Sequence, residues 1–251
     1  MDEMLFFRNA ENGEMTLPLA IGRDENGRPL WLDLAAAPNI LLAGCTKQGK
    51  SGAMNAMIAS LMLLEGQEEV KFVFIDPKMA ELAVWAGAAG SRYAGGEFES
   101  YAELDRLTVE LDSRLSGLAG DSRRKYPKIV VFVDEYADLM DYGSKKTAAF
   151  KNIVGLSKAG NAVGIHMVIS TNRVSRDVII KEIKENFPVR MGFRMIDKRG
   201  SIVTLDTPGA EWLNGKGDML LLRGADVERV QGTFFSTDEC MAIKVKEEVT
   251  E

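Results

Sequence analysis

Eight residues, Gly44-Cys45-Thr46-Lys47-Gln48-Gly49-Lys50-Ser51, restrict the folds open to this chain more than any other stretch. They form a complete G-x-x-x-x-G-K-S. Before them runs a short apolar segment, Asn39 to Ala43, and after them a segment from Lys50 to Leu64 whose apolar residues recur at spacings of three and four. Strand, glycine-rich loop and helix in that order make a phosphate cradle. The glycines let the loop turn back so that successive backbone N–H groups face the phosphates, and the helix N-terminus adds its positive dipole end. The expected nucleotide contacts are Gly44, Cys45, Thr46, Lys47, Gln48, Gly49, Lys50, Ser51 and Gly52. Lys50 reaches the β- and γ-phosphates and the Ser51 hydroxyl ligates Mg²⁺. Lys47 and Gln48 are large for such a loop, so a cradle that binds nucleotide without hydrolysing it stays open at this point.

The rest of the chain repeats the strand and helix alternation. Four apolar runs (Asn39 to Ala43, Val70 to Ile75, Lys128 to Val133 and Ile165 to Ser170) are short, rich in branched residues and separated by helix-length segments. That pattern predicts an α/β fold with a mostly parallel central sheet flanked by helices. Helices are predicted at Lys50 to Leu64, Tyr101 to Leu118, Lys146 to Ala159, Arg176 to Glu185 and Lys198 to Leu205. Leu17 to Ile21 and Pro29 to Leu34 flank Glu25-Asn26-Gly27, which predicts a short N-terminal hairpin. Asp218 to Arg223 and Arg229 to Phe235 read as two late strands joined at Gly224-Ala225-Asp226. The expected division is a lead-in over 1–36, a P-loop domain over 37–240 and a tail over 241–251.

Charge bounds the partners. A net charge of −6 and a pI near 5.1 exclude a protein that coats nucleic acid through a uniformly basic surface, so any nucleic acid must be gripped locally. No apolar run approaches the roughly 20 residues that cross a bilayer, and Met1-Asp2-Glu3-Met4 lacks a basic leader, which predicts a cytoplasmic protein. Cys45 and Cys240 form no CxxC or Cys/His cluster and read as reduced thiols.

A second motif supplies acid. Lys128 to Val133 is a buried-type strand ending in Asp134-Glu135, which reads as Walker B: Asp134 for the Mg²⁺ and Glu135 to polarise the attacking water at the carboxyl end of the sheet. After the next strand, Ser170-Thr171-Asn172-Arg173 offers Thr171 or Asn172 as a sensor of the γ-phosphate. Arg190 and Arg194 flank a strand-like Met191-Gly192-Phe193, where a cation completes a neighbour's site as an arginine finger or simply lies on the surface. His166, the only histidine, has no second ligand in sequence and reads as packing or a single hydrogen bond. The methionines from Met54 to Met62 read as helix core, and Arg123-Arg124-Lys125 as a solvated basic loop.

These stretches together resemble the motor domain of the FtsK/SpoIIIE family. The resemblance is collinear from about Pro18 to Phe235. It runs through Pro18 to Asp24, the P-loop, Asp76-Pro77-Lys78, Asp134 to Met140, Gly164-Ile165-His166, Thr171-Asn172-Arg173, Asn186 to Arg190 and Gly215-Lys216-Gly217-Asp218-Met219-Leu220. The Asp-Pro-Lys and Gly-x-Gly-Asp-Met-Leu stretches are the distinctive ones. The resemblance implies a RecA-like core assembled as a hexameric ring, with double-stranded DNA in the channel and ATP at the subunit interfaces. It also implies Arg190 as the preferred finger, with Arg194 and Arg173 behind it. The chain departs from the family at Asn172, where glutamine is usual, and at Asn161 and Gly200-Ser201-Ile202, where arginines are common. The expected function is ATP-driven movement of duplex DNA. The rivals are a secretion or conjugation coupling ATPase and a nucleotide-dependent scaffold without turnover.

Overall fold

A computed structural model describes residues 15–63, 70–140 and 146–248. Ten strands form one sheet in the order β2-β1-β10-β9-β8-β3-β7-β6-β4-β5. In chain order they are β1 Pro18–Asp24, β2 Pro29–Asp33, β3 Asn39–Ala43, β4 Val70–Asp76, β5 Ser91–Gly95, β6 Lys128–Val133, β7 Ile165–Thr171, β8 Val189–Phe193, β9 Asp218–Arg223 and β10 Asp226–Gly232. The helices are α1 Lys50–Leu63, α2 Glu97–Gly120, α3 Lys146–Ala159, α4 Lys181–Asn186, α5 Lys198–Leu205 and α6 Thr237–Glu248.

From β8 to β5 every pairing is parallel, and from β8 through β9, β10 and β1 to β2 every pairing is antiparallel. The parallel strands are buried on both sides, which is why they read as continuous apolar runs. In β6, Val130 and Phe132 enter one core with α1 and α6, while Ile129, Val131 and Val133 enter the other with α2 and α3. Each such side chain contributes about 1.5–3 kcal/mol of burial. The parallel sheet is thereby pinned as the middle of three layers. Met54, Met57 and Met62 are buried in the first core, as helix-core methionines should be.

The N-terminal hairpin is no separate module. β1 pairs with β10 through Gly22–Gly232, and the Ala20 amide donates to Ser60 Oγ of α1 at 3.1 Å. The expected boundary between domain and tail, after residue 240, falls inside α6, whose Cys240 and Ile243 join the α1 core. The predicted helix from Arg176 shortens to α4, because Val178 and Ile179 donate to the Ser175 carbonyl in a turn first. The late strand shifts to Asp226–Gly232, with its turn at Gly224-Ala225. Among the described residues no helix is long and apolar enough to cross a membrane.

Candidate nucleotide site

Three strand ends meet at one place. β3 runs into the P-loop, β6 ends before Asp134-Glu135, and β7 ends at Thr171; β7 lies between the other two. The carboxyl end of a parallel sheet is where open α/β folds bind ligands. The entry to the loop is tied to its neighbours: the Gly44 amide donates to the Thr171 carbonyl at 3.3 Å, and the Cys45 amide to the Arg194 carbonyl at 3.0 Å.

The Lys50 ammonium donates to the Gly44 and Cys45 carbonyls at 2.7 and 2.9 Å, so it is folded against its own loop. Burial lowers its pKa, against the opposing pull of Glu135 and Asp134. Buried cationic groups of this kind favour an incoming anion, which restores the charge balance lost with water.

The P-loop backbone is met by a second loop at Gln48. Gln48 accepts a hydrogen bond from the Gly217 amide at 2.9 Å. A Cβ at Gly215 would fall 2.3 Å from Gln48 Oε1, and one at Gly49 would fall 2.5 Å from the Gly217 nitrogen. The Gly215-Lys216-Gly217 turn, which precedes β9, therefore closes onto the P-loop backbone to backbone. Asp218, next in line, is held by Arg229 at 2.9 and 2.7 Å and accepts from the Asn214 amide at 2.7 Å. This is the physical content of the Gly-x-Gly-Asp stretch.

The acidic pair is tightly held. Ser170 Oγ donates to Asp134 Oδ1 at 2.5 Å and accepts from the Glu135 amide at 3.2 Å. Burial pushes the Asp134 carboxyl up to about 6; the Ser170 hydrogen bond opposes this, and the charges of Asp76, Glu81 and Glu135 reinforce it. A carboxylate in that setting gains from a nearby cation. Glu135 is 4% exposed and stands at φ 45°, a left-handed conformation that costs a non-glycine residue about 1–2 kcal/mol. Such strain is stored where the surroundings over-determine it.

Those surroundings include both residues expected as sensors. Thr171 Oγ1 donates to Glu135 Oε1 at 2.7 Å, and the Asn172 amide donates to Glu135 Oε2 at 2.9 Å. The Asn172 bond comes from its backbone N–H, the Thr171 bond from its side chain, and Thr171 Oγ1 also accepts from the Arg173 amide at 3.0 Å.

Arg190, expected as the preferred finger, is largely enclosed. It is only 9% exposed; its guanidinium donates to the Thr204 carbonyl at 2.8 Å and pairs with Asp206 at 2.7 Å. Burial raises the Asp206 carboxyl, but hydrogen bonds from Lys184 and Arg190 outweigh it and hold the acid below the usual carboxylate range. The Arg190 guanidinium is thus paired within its own chain. Arg194 is exposed and directly follows β8 at the loop. His166 is fully buried in β7, with neither ring nitrogen hydrogen-bonded among the described residues. It is a packing residue, which burial keeps neutral with a pKa lowered to about 4.

Sequence reasoning passed over Ser170 as a site residue, although its hydroxyl bonds the Asp134 carboxylate and the Glu135 backbone amide. The signal was its place in register beside the acidic pair, legible only once β6 and β7 are known to be neighbours.

Comparison with known proteins places this arrangement. The model of the FtsK/SpoIIIE family matches residues 3–89. A DNA translocase FtsK of Haemophilus influenzae is 36% identical over 274 aligned residues, which take in 92% of this chain and 51% of the relative. The corresponding Treponema pallidum protein is 34% identical, over 94% of this chain and 32% of its own length. The chain thus spans about half or less of these curated relatives. Among solved structures, the pCW3 conjugation coupling protein TcpA, in a monomer form with ATPγS, superposes with a TM-score of 0.81 at 23% identity, covering 97% of this chain and 73% of that one. The cytoplasmic domain of the Thermomonospora curvata type VII secretion ATPase EccC gives 0.79 at 22%, covering 92% and 31%. At those identities the structures speak to the fold, a RecA-like P-loop core. Identity of 34–36% carried over more than nine-tenths of the chain, with the family model on residues 3–89, makes this chain a member of the FtsK/SpoIIIE family.

Proposed function

We propose that this chain is the ATP-hydrolysing motor segment of a double-stranded DNA translocase, working as a homo-oligomeric ring. The observation that supports it most is the junction of three strand ends, where Lys50 lies on the P-loop carbonyls and the β7 hydroxyls of Ser170 and Thr171 hold the Asp134 and Glu135 carboxylates. The family relatives at 34–36% identity favour DNA as the substrate over protein cargo.

In this reading the loop amides and Lys50 bind the β- and γ-phosphates, Lys50 exchanging the Gly44 and Cys45 carbonyls for phosphate oxygens. Ser51 and Asp134 hold Mg²⁺, whose charge offsets the negative charge on the phosphate oxygens. Glu135 orients the attacking water and takes up its proton, and Thr171, Ser170 and the Asn172 amide keep its carboxylate aimed. Arg194 supplies a cation at the phosphates. Little covalent chemistry is asked of the protein, since phosphoryl transfer is governed by positioning and charge. Asn172 and Arg173 follow Glu135's clamp along the chain, so a shift of that carboxylate on hydrolysis passes directly into the β7 loop.

The test is phosphate release with and without duplex DNA, for the wild-type chain and Glu135→Gln. Duplex DNA is expected to stimulate the wild type, and Glu135→Gln to lower turnover about 10²–10⁴-fold while still binding ATP. Turnover without stimulation by DNA transfers the reading to a coupling ATPase, and binding without turnover in the wild type transfers it to a nucleotide-dependent scaffold.

A further inference from the structure

Phe234 takes no part in the site described above, and its ring is 63% exposed while that of Phe235 is 1% exposed. An extended segment alternates its side chains, which accounts for one ring in and one ring out. It does not account for where the outer ring rests. A Cβ on Gly52 would meet Phe234 Cδ2 at 3.0 Å and Cε2 at 3.7 Å, with no other group from outside the first turns of α1 within 4 Å. Gly52 directly follows Ser51, so the ring lies against the first turn of the helix that leaves the P-loop.

Backbone bonds hold it there. The Gly217 amide donates to the Gln48 carbonyl at 2.9 Å, the Gly232 amide donates to the Gly217 carbonyl at 2.9 Å, and the Thr233 amide donates to Ile21 at 3.3 Å. Phe234 comes one residue later. Its ring is thus fixed in the same backbone frame as the phosphate loop, with two side-chain torsions of its own.

A triphosphate whose β- and γ-groups sit on the loop amides and Lys50 directs its α-phosphate toward the first turn of the following helix, and its nucleoside departs from there. We propose that Phe234 is the platform on which the base of the bound nucleotide stacks, with Gly52 keeping that place open. The inference rests on the reading of the loop as a nucleotide site, and adds which part of the nucleotide beyond the phosphates is recognised. An aromatic face recognises a flat π-system and reads none of its edge donors or acceptors. Adenine and guanine are therefore accepted alike, and the smaller pyrimidines less well.

Calorimetry on the full chain tests this with the magnesium salts of ATP, GTP, CTP and tripolyphosphate, the last a base-free probe, against wild type, Phe234→Ala and Phe234→Trp. Phe234→Ala is expected to weaken ATP and GTP by about 10-fold or more while leaving tripolyphosphate within about 2-fold. Phe234→Trp restores ATP affinity, and its added fluorescence is quenched by ATP and unaffected by tripolyphosphate. Unchanged ATP affinity in Phe234→Ala overturns the proposal, as does an equal fall for ATP and tripolyphosphate, which marks a structural role. A wild type that binds ATP and tripolyphosphate equally well overturns the platform alone. A wild type that binds neither overturns the nucleotide site, and the platform with it.

Discussion

The six parallel strands, β8-β3-β7-β6-β4-β5, and the four antiparallel ones, β9, β10, β1 and β2, contribute to the site in different ways. The parallel block carries the groups with chemistry: Lys50, Asp134, Glu135, Ser170 and Thr171 stand at or just beyond its carboxyl strand ends. The antiparallel block reaches the same place through backbone and glycine, by the Gly217 amide on Gln48 and the Phe234 ring on Gly52. Parallel strands all deliver their ends to one rim, so functional side chains accumulate there; antiparallel strands deliver every second end, and here that end is used to brace the loop. β8 is where the two blocks meet, and it carries Arg190 and leads into Arg194.

The largest expected effect tests that meeting strand. Arg194→Ala should lower turnover about 10³-fold, the loss typical of a cation at a transferring phosphate, with stability within about 0.5 kcal/mol of wild type. Arg190→Ala should do the reverse: it removes bonds to Thr204 and Asp206 and costs about 2–3 kcal/mol of stability, with turnover per folded molecule nearly kept. Steady-state kinetics and urea denaturation of both variants decide it. Exchanged phenotypes would return the finger to Arg190.

Acid separates the two blocks next. His166 lies in the parallel block and titrates at about 4 in the folded chain against an ordinary 6.5, because burial and then Lys128 oppose its charge, with Asp33 acting the other way. Between those values the unfolded chain binds the extra proton. Stability is therefore full above pH 6.5, falls by about 3 kcal/mol as pH drops to 4, and levels off below. Asp218, in the antiparallel block, titrates below the usual carboxylate range: burial raises it, but Arg229 and the Asn214 amide outweigh burial. Its contribution is lost only in more acid solution. In denaturation curves measured from pH 7 to 3, His166→Leu should flatten the upper window and leave the lower one.

How plainly a strand could be read from sequence followed its burial more than its block. β3, β6 and β9 have the predicted ends, Asn39–Ala43, Lys128–Val133 and Asp218–Arg223, because strands buried on both faces announce themselves as unbroken apolar runs. β10, with the sequence Asp-Val-Glu-Arg-Val-Gln-Gly, is half solvated, and the apolar residues after it drew the predicted strand three positions too far. β5 at the far edge is short and polar. α6 was passed over even though Ser236 and Glu239 exchange the bonds of a capping box, with the Ser236 amide on Glu239 at 2.9 Å and the Glu239 amide on Ser236 at 3.3 Å. The P-loop and the acidic pair were legible because their chemistry needs fixed residue types at fixed spacing. Ser170 at Asp134, the clamp on Glu135 and the burial of Arg190 were not, since each depends on which strand lies beside which.

The joint between the blocks has its own test in Gly49→Ala. The added carbon meets the Gly217 backbone at 2.5 Å, and φ at residue 49 is 116°, where side chains are strained. One or the other loop has to move, at about 1–3 kcal/mol, so ATP affinity should weaken by about 10–100-fold while Asp218 and Arg229 keep the antiparallel block folded. Near-wild-type affinity by calorimetry would mean that the bracing contact does not shape the cradle.

The smallest effect lies wholly within the parallel block and asks whether its hydroxyls do more than fill space. Thr171→Val keeps the shape of a fully buried side chain and removes the donor to Glu135 Oε1, leaving the Asn172 amide as the other hydrogen bond on that carboxylate. A lost neutral-to-charged hydrogen bond is worth about 1.5–3 kcal/mol where the acceptor stays buried, but rotation of the carboxylate onto water recovers part of it. Turnover should fall about 10-fold with ATP affinity unchanged, because the bond aims the base and does not touch the phosphates. Thr171→Ser, which restores the hydroxyl, should recover most of the rate. If affinity falls and turnover per bound nucleotide does not, Thr171 contacts the nucleotide itself, and the division between aiming groups in β7 and binding groups in the P-loop has to be redrawn.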